Sequence, residues 1–154
     1  MSKNKLQPRV GIVTGAGRGI GLAIAKELST QGVSIVAADN GCDIDGSQEN
    51  HIIVEEAVKQ LSGPSRIYTR SVASPKAAEE LVAMAIGEFG GIDIIINCAA
   101  ILRDGLVFKS MSEDWEVVIK NNLSSAFYLT RAATPMMRQQ FKENRGSIEA
   151  YNWG

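Results

Sequence analysis

Apolar residues along this chain follow two rhythms. Val10 to Val13, Val33 to Ala38 and Ile92 to Ala100 are short, continuous runs rich in β-branched side chains, as expected of strands buried on both faces of a parallel sheet. Arg66 to Val72 predicts one more strand, placed third in the chain. Between the strands the apolar spacing changes to three and four residues, which predicts helices. The first spans about Ile20 to Thr30. The second resumes near Gln48, carries Ile52, Ile53, Ala57, Val58 and Leu61, and is closed by Gly63-Pro64. The third starts at Ser74-Pro75, an N-cap followed by proline at the first helical position. It carries Ala78, Leu81, Val82, Ala85, Ile86 and Phe89 to the stop at Gly90-Gly91.

This alternation predicts parallel βαβ units with right-handed crossovers, a doubly wound α/β sheet of the Rossmann type in strand order 3-2-1-4. The order reverses between the first and fourth strands. A ligand is expected at their carboxyl ends, where Gly15 and Asn97 fall. After an irregular stretch from Ile101 to Met111, a long helix is expected from Ser112 to about Gln140. Its apolar stripe is Trp115, Val118, Ile119, Ala126, Leu129, Ala133 and Met137, broken only by Asn122. An amide on such a stripe has two readings, a structural bond to a neighbouring carbonyl or a place in a site.

Candidate chemistry begins where the first strand ends. Gly15 suits a tight turn, Gly19 leaves room for a diphosphate to approach the main chain, and Gly21 lets the next helix pack against the strand. The N-terminus of that helix points free N–H groups at the same place. The strict G-x-G-x-x-G spacing fails at Ile20, whereas T-G-x-x-x-G-x-G is met by Thr14, Gly15, Gly19 and Gly21. A glycine-rich turn without a ligand is the competing reading. Against it stands Asp39, an acid ending the second strand about twenty residues on, where a ribose 2′-hydroxyl is held in dinucleotide sites.

Size and charge narrow the classes. The 154 residues, 45% hydrophobic, suit one domain over 1–154, and a net charge of −1 offers no general field for nucleic acid or anionic membrane. No stretch approaches the length of a membrane span, and the polar Met1 to Arg9 segment lacks the apolar core of a secretion signal, so a cytoplasmic location is expected. Cys42 and Cys98 lie in different contexts and indicate no disulfide framework. His51 is the only histidine, with no second ligand nearby, so no metal site is expected and His51 is given no function.

Thr14-Gly15-x-x-x-Gly19-x-Gly21, Asp39, Asn97-Cys98-Ala99-Ala100 and Asn122-Leu123-Ser124 together resemble the short-chain dehydrogenase/reductase family, over about residues 8 to 148. Ile101 to Asp104 and Asn122 to Ser125 are similar to the 3-oxoacyl and 3-hydroxyacyl thioester reductases within it. The resemblance implies hydride transfer between a nicotinamide dinucleotide and a small carbonyl or hydroxyl substrate, in a homo-oligomer. It further implies that Gly15, Arg18, Gly19, Ile20 and Gly21 line the diphosphate and adenosine and that Asp39 takes the ribose hydroxyls. An acid at Asp39 favours NAD over NADP, with Arg18 the one group that would tolerate the extra phosphate. Asn97 would border the cofactor together with Ala99, Val72 would contact the adenine, and Asn122 would take the catalytic position whose backbone holds a proton-relay water.

The chain departs from the family at several points. Cys98 and Ala100 replace an asparagine and a glycine, and Ser71 stands where an aspartate usually binds the adenine amine. Gly146-Ser147-Ile148 resembles the start of a fifth strand, but the pattern then breaks into Glu149 to Gly154, without the family's catalytic serine and Tyr-x-x-x-Lys pair. Tyr151 has no lysine four residues on, and its resemblance to the catalytic tyrosine is taken as coincidence. The expectation is a chain truncated before its catalytic residues, with a premature stop or an altered reading frame after Ile148. Such a chain is an oxidoreductase by descent with little or no turnover. The alternative is a dinucleotide-binding or subunit-interaction module that does no catalysis.

Overall fold

A computed structural model describes residues 9–143, so the expected fifth-strand stub and Tyr151 lie outside the described residues. Four parallel strands form one sheet in the order 3-2-1-4, as the run pattern predicts: β1 (Val10–Thr14), β2 (Ser34–Ala38), β3 (Ser65–Tyr68) and β4 (Ile94–Asn97). Between them lie α1 (Gly19–Thr30), α2 (Ile52–Val58) and α3 (Pro75–Phe89). The register pairs Thr14 with Ala38 on one side and with Asn97 on the other, so the ends of β1, β2 and β4 lie level.

Alternation along the strands divides the core into two layers. Ile12, Val36 and Ala38 pack with Tyr68, Ala78, Leu81 and Leu129. Val13, Ile35 and Ala37 pack with Ala25 and Val54 on the other face. The helices therefore cover both sides of the sheet, and full burial of a side chain such as Leu81 contributes about 1.5–3 kcal/mol.

The helix ends follow their residue chemistry. Ser74 Oγ accepts a hydrogen bond from Ala77 N at 3.2 Å, and Gly90 takes the left-handed conformation (φ 81°) that closes α3. Several expected boundaries are corrected. The second helix starts at Ile52 rather than near Gln48, because residues 39–51 are committed to a loop in which Asn50 N donates to Asn40 O and Gly41 (φ 68°) abuts the Asn50 carbonyl. The third and fourth strands are shorter than their apolar runs. Ile92, for example, is buried, yet its N–H serves the Gln140 side chain instead of a strand.

The long final helix is not uniform. It comprises α4 (Ser112–Val118), a π-helical segment (Ile119–Ser124) and α5 (Ser125–Lys142), preceded by a 3₁₀ turn at Val107–Lys109. Leu129 and Ala133 are buried on the expected stripe, but Trp115 is 69% exposed. Two amides staple this rod to β4. Asn122 exchanges two hydrogen bonds with Ile101, each of 2.9 Å. Gln140 accepts from Ile92 N at 2.7 Å and donates to Ile92 O at 2.9 Å and to Asp93 Oδ1 at 3.1 Å. Asp93 Oδ2 in turn accepts from Val10 N at 2.7 Å, tying the start of β1 into the same cluster. No helix among the described residues is long and apolar enough to cross a membrane.

Candidate functional site

A cleft of about 480 Å³ opens at the carboxyl ends of β1, β2 and β4, where the strand order reverses. Of the residues singled out in the sequence, Gly15, Arg18, Ile20, Gly21, Asp39, Val72 and Ala99 line it. Gly19, Asn97 and Asn122 do not. Asn97 ends β4 with an exposed side chain, and Asn122 spends its amide on Ile101.

The glycine loop is built for close approach. Gly15 has φ 66°, and a Cβ there would stand 2.8 Å from Ala99 N and from the Cys98 carbonyl carbon. A Cβ at Gly21 would stand 2.1 Å from the Gly15 carbonyl oxygen, so α1 can start this close to β1 only with glycine in place. Gly19 differs: its φ is 55° and nothing lies within 4 Å of where its Cβ would be. Arg18 at the N-cap of α1 has no side-chain acceptor to offer, so the first-turn N–H groups stay open beside that space. A diphosphate fits this combination of free donors, helix dipole and vacant volume.

Asp39 organises the loop from the end of β2. Its Oδ2 accepts from Gly17 N at 2.8 Å and its Oδ1 from Gly41 N at 2.7 Å, which leaves further lone pairs on both oxygens for hydroxyl donors. A side chain at Gly17 would meet Asp39 Oδ2 at 2.8 Å. Arg18 donates from its guanidinium to Cys42 O at 2.6 Å and is thereby held toward the loop after β2. Burial pushes the Cys42 thiol above its ordinary range, reinforced by the Asp39 carboxylate and opposed by Arg18. Cys42 and Cys98 are both free thiols.

Three contributions are not evident from the sequence reading. Thr14 Oγ1 accepts from Cys98 N at 3.2 Å and Ala99 N at 3.1 Å, fixing the segment after β4 to the end of β1. The loop of residues 40–50 crosses to that same segment, where Leu102 N donates to Ile44 O at 2.8 Å and Gly46 packs on Ile101. The glycine and acid content of this loop marks it as irregular but carries no sign of its long-range partner. Asn121 and Val117 form one wall of the cleft. Their four-residue spacing is the available clue, because it places both on one helix face.

Comparison with known proteins agrees with this geometry. The chain is 35% identical over 138 residues to a Mycobacterium tuberculosis protein of the short-chain dehydrogenase/reductase type, covering 88% of this chain and 48% of that one. It is 31% identical over 143 residues to the 3-oxoacyl-[acyl-carrier-protein] reductase of Vibrio cholerae, covering 93% and 54%. Among solved structures, L-sorbose reductase from Gluconobacter frateurii, complexed with NADPH and L-sorbose, superposes with a TM-score of 0.73 at 25% identity. That match covers 88% of this chain and 49% of the reductase. The chain thus spans about half the length of the relatives it matches. The family profile described as short chain dehydrogenase matches residues 9–148, and on that match, with the sheet order and glycine cradle above, the chain belongs to the short-chain dehydrogenase family.

Proposed function

We propose that the cleft binds a nicotinamide dinucleotide, NAD in preference to NADP, as the cofactor-binding part of an oxidoreductase acting on a small carbonyl or hydroxyl substrate. The observation that carries this reading is the pairing of the uncapped N-terminus of α1, with Gly15 and Gly21 at the cleft, with the Asp39 carboxylate held at the cleft wall. Gly15, Arg18, Gly19, Ile20 and Gly21 would border the diphosphate, Asp39 would accept from the ribose hydroxyls, and Val72 and Ala99 would form apolar walls. Asp39 repels an added phosphate, and the Arg18 guanidinium is already bonded to Cys42 O. When bound, the dinucleotide supplies or takes the hydride. Asn97 and Asn122 act at a distance: Asn97 ends the strand beside Thr14, and Asn122 fixes the segment after β4 through Ile101.

Carbonyl reduction also needs a placed proton donor, and the sequence holds no Tyr-x-x-x-Lys pair. We therefore infer binding without useful turnover. Loss of a positioned general acid removes about 10²–10⁴ in rate. Calorimetric titration should show NADH bound more tightly than NADPH, and assays with short 3-oxoacyl thioesters and simple ketones should show no NADH consumption above background. Equal or tighter NADPH binding would overturn the role of Asp39, and turnover would overturn the inactive reading.

A second reading, self-association through the last helix, is favoured by Trp115, Leu123, Phe127 and Phe141, all exposed on α4, the π segment and α5. Family membership is equally compatible with a chain that binds dinucleotide and pairs with a second copy.

A further inference from the structure

The loop after β2 is built as a closed unit. Its two ends are pinched together, because Asn50 N donates to Asn40 O at 3.1 Å and Asn40 Nδ2 donates to Glu49 Oε1 at 2.7 Å. Inside the pinch, residues 43–47 hold one another. Asp43 N donates to Ser47 O at 2.7 Å, Gly46 N donates to Asp43 O at 2.8 Å, and Ser47 donates to Asp45 Oδ1 from both its N–H and its hydroxyl. A compact loop with adjoining ends and bonds of its own moves as a unit. Left-handed backbone flanks that unit on either side, at Gly41 (φ 68°) and at Gln48 (φ 50°). Gln48 is the one non-glycine residue with positive φ among the described residues, a strained position held by its surroundings.

The tip of the loop is fastened beyond β1. Since β1 lies between β2 and β4, a loop that leaves β2 and reaches residues 101–102 after β4 spans the end of β1, where the glycine turn begins. Leu102 N donates to Ile44 O at 2.8 Å, and a Cβ at Gly46 would meet two methyl carbons of Ile101 at 3.3 Å. Asp45 is held below the usual carboxylate range, first by its bonds from Ser47 and also by the charge of Arg103 on the segment it faces. That segment is the firmer side: Asn122 binds both backbone groups of Ile101, and Arg103 reaches Asp114 of α4 at 3.8 Å. The loop is the lighter side, with one backbone bond at its tip and Ile44 67% exposed. Loop and glycine turn line the same cleft. We propose that residues 42–47 are a hinged strap, latched across the dinucleotide cleft through Ile44 and Gly46, whose unlatching sets how fast a dinucleotide enters and leaves. This rests on the dinucleotide reading above and adds a conformational step to it. Rotation at Gly41 and Gln48 swings the strap off residues 101–102, and Arg18 releases Cys42 O in the same movement.

Leu102→Pro removes the donor of the latch, and Leu102 does not itself line the cleft. Stopped-flow mixing of this variant with NADH should show association and dissociation each faster by at least about fivefold, with their ratio unchanged within about twofold. Gly46→Ala, which wedges a methyl against Ile101, should move both rates in the same direction. Hydrogen exchange of the unmodified, ligand-free protein gives a second readout. The Leu102 amide should be at least about tenfold less protected than the Ile101 amide, because strap opening exposes the first and leaves the second on Asn122. Equal protection of the two amides would show strap and anchor opening together and overturns the hinge. Unchanged rates in both variants, or weaker binding at an unchanged association rate, overturns the gate while the dinucleotide reading stands. If NADH does not bind the unmodified protein, the dinucleotide reading falls and the gating role falls with it.

Discussion

Asn122 and Ile101 exchange two hydrogen bonds of 2.9 Å, the amide of one matched to both backbone groups of the other. At the far end of the same rod, Gln140 makes the matching pair of bonds to Ile92, so β4 is held at both its entry and its exit. Replacing either amide by leucine strands a backbone donor and acceptor. Each of Asn122→Leu and Gln140→Leu should cost about 1–3 kcal/mol of unfolding free energy in urea. The two sites are roughly 25 Å apart along a helix, so the double variant should lose the sum within about 0.5 kcal/mol. A loss below about 0.5 kcal/mol for both single variants would show that water replaces these bonds without penalty.

The glycine loop separates stability from binding. Gly21→Ala places a methyl 2.1 Å from the Gly15 carbonyl and should destabilise the fold by about 1–3 kcal/mol, since α1 must move off β1. Gly19→Ala meets no atom within 4 Å and should cost only about 1–2 kcal/mol for its left-handed backbone. The new methyl nevertheless enters the space assigned to the diphosphate, so NADH affinity should fall at least tenfold. Calorimetry paired with urea melts separates the two effects. NADH binding by Gly19→Ala at the unmodified affinity would remove Gly19 from the site.

Tyr68 gives the chain an alkaline limit. Burial, with a 2.7 Å hydrogen bond donated to Glu80 and the charge of that carboxylate, pushes its phenol up to about 12. The unfolded phenol titrates near 10, so the stability from its neutral form is fully present below about pH 10 and is lost as pH rises toward about 12. The urea midpoint should therefore fall through that window, and Tyr68→Phe should flatten the fall while lowering stability near neutrality. The same pair acts at the acid end. Glu80 is held below the usual carboxylate range, first by the Tyr68 hydroxyl and also by Arg70, so its contribution is lost as pH falls. An unchanged alkaline slope in Tyr68→Phe would place the limit elsewhere.

Self-association should be measurable. Phe127 and Trp115 are 60% and 69% exposed, and β4 has no partner on its outer edge among the described residues. Sedimentation at micromolar concentration should find dimers or larger species, and Phe127→Glu should shift them toward monomer. A monomer across that range would show that this surface takes no second copy.

Much of the architecture is legible from residue pattern because burial on both faces forces continuous apolar runs, and βαβ handedness then leaves few strand orders. The glycine loop and Asp39 are legible for a local reason: their conformations and charges are properties of the residues themselves. What pattern alone misses depends on partners far along the chain. The π segment is not readable from apolar spacing, and its extra residue rotates the helix before it relative to the helix after it. Trp115 falls on the expected stripe but ahead of that extra residue, and it faces outward. Gln140 resembles any surface amide until Ile92 is placed beside it.

The position of β1 in the sheet has a consequence for biosynthesis. Among the described strands it leaves the ribosome first, yet it lies between β2 and β4, and its second edge pairs only when Ile94 to Asn97 arrive. From Ala38 to Asn97 is about sixty residues of translation, an interval on the order of 3–12 s at 5–20 residues per second. Throughout it the nascent chain offers an open ladder of apolar strand. Chaperone occupancy on ribosome-bound chains should therefore rise after Ala38 has emerged and fall once Asn97 has done so.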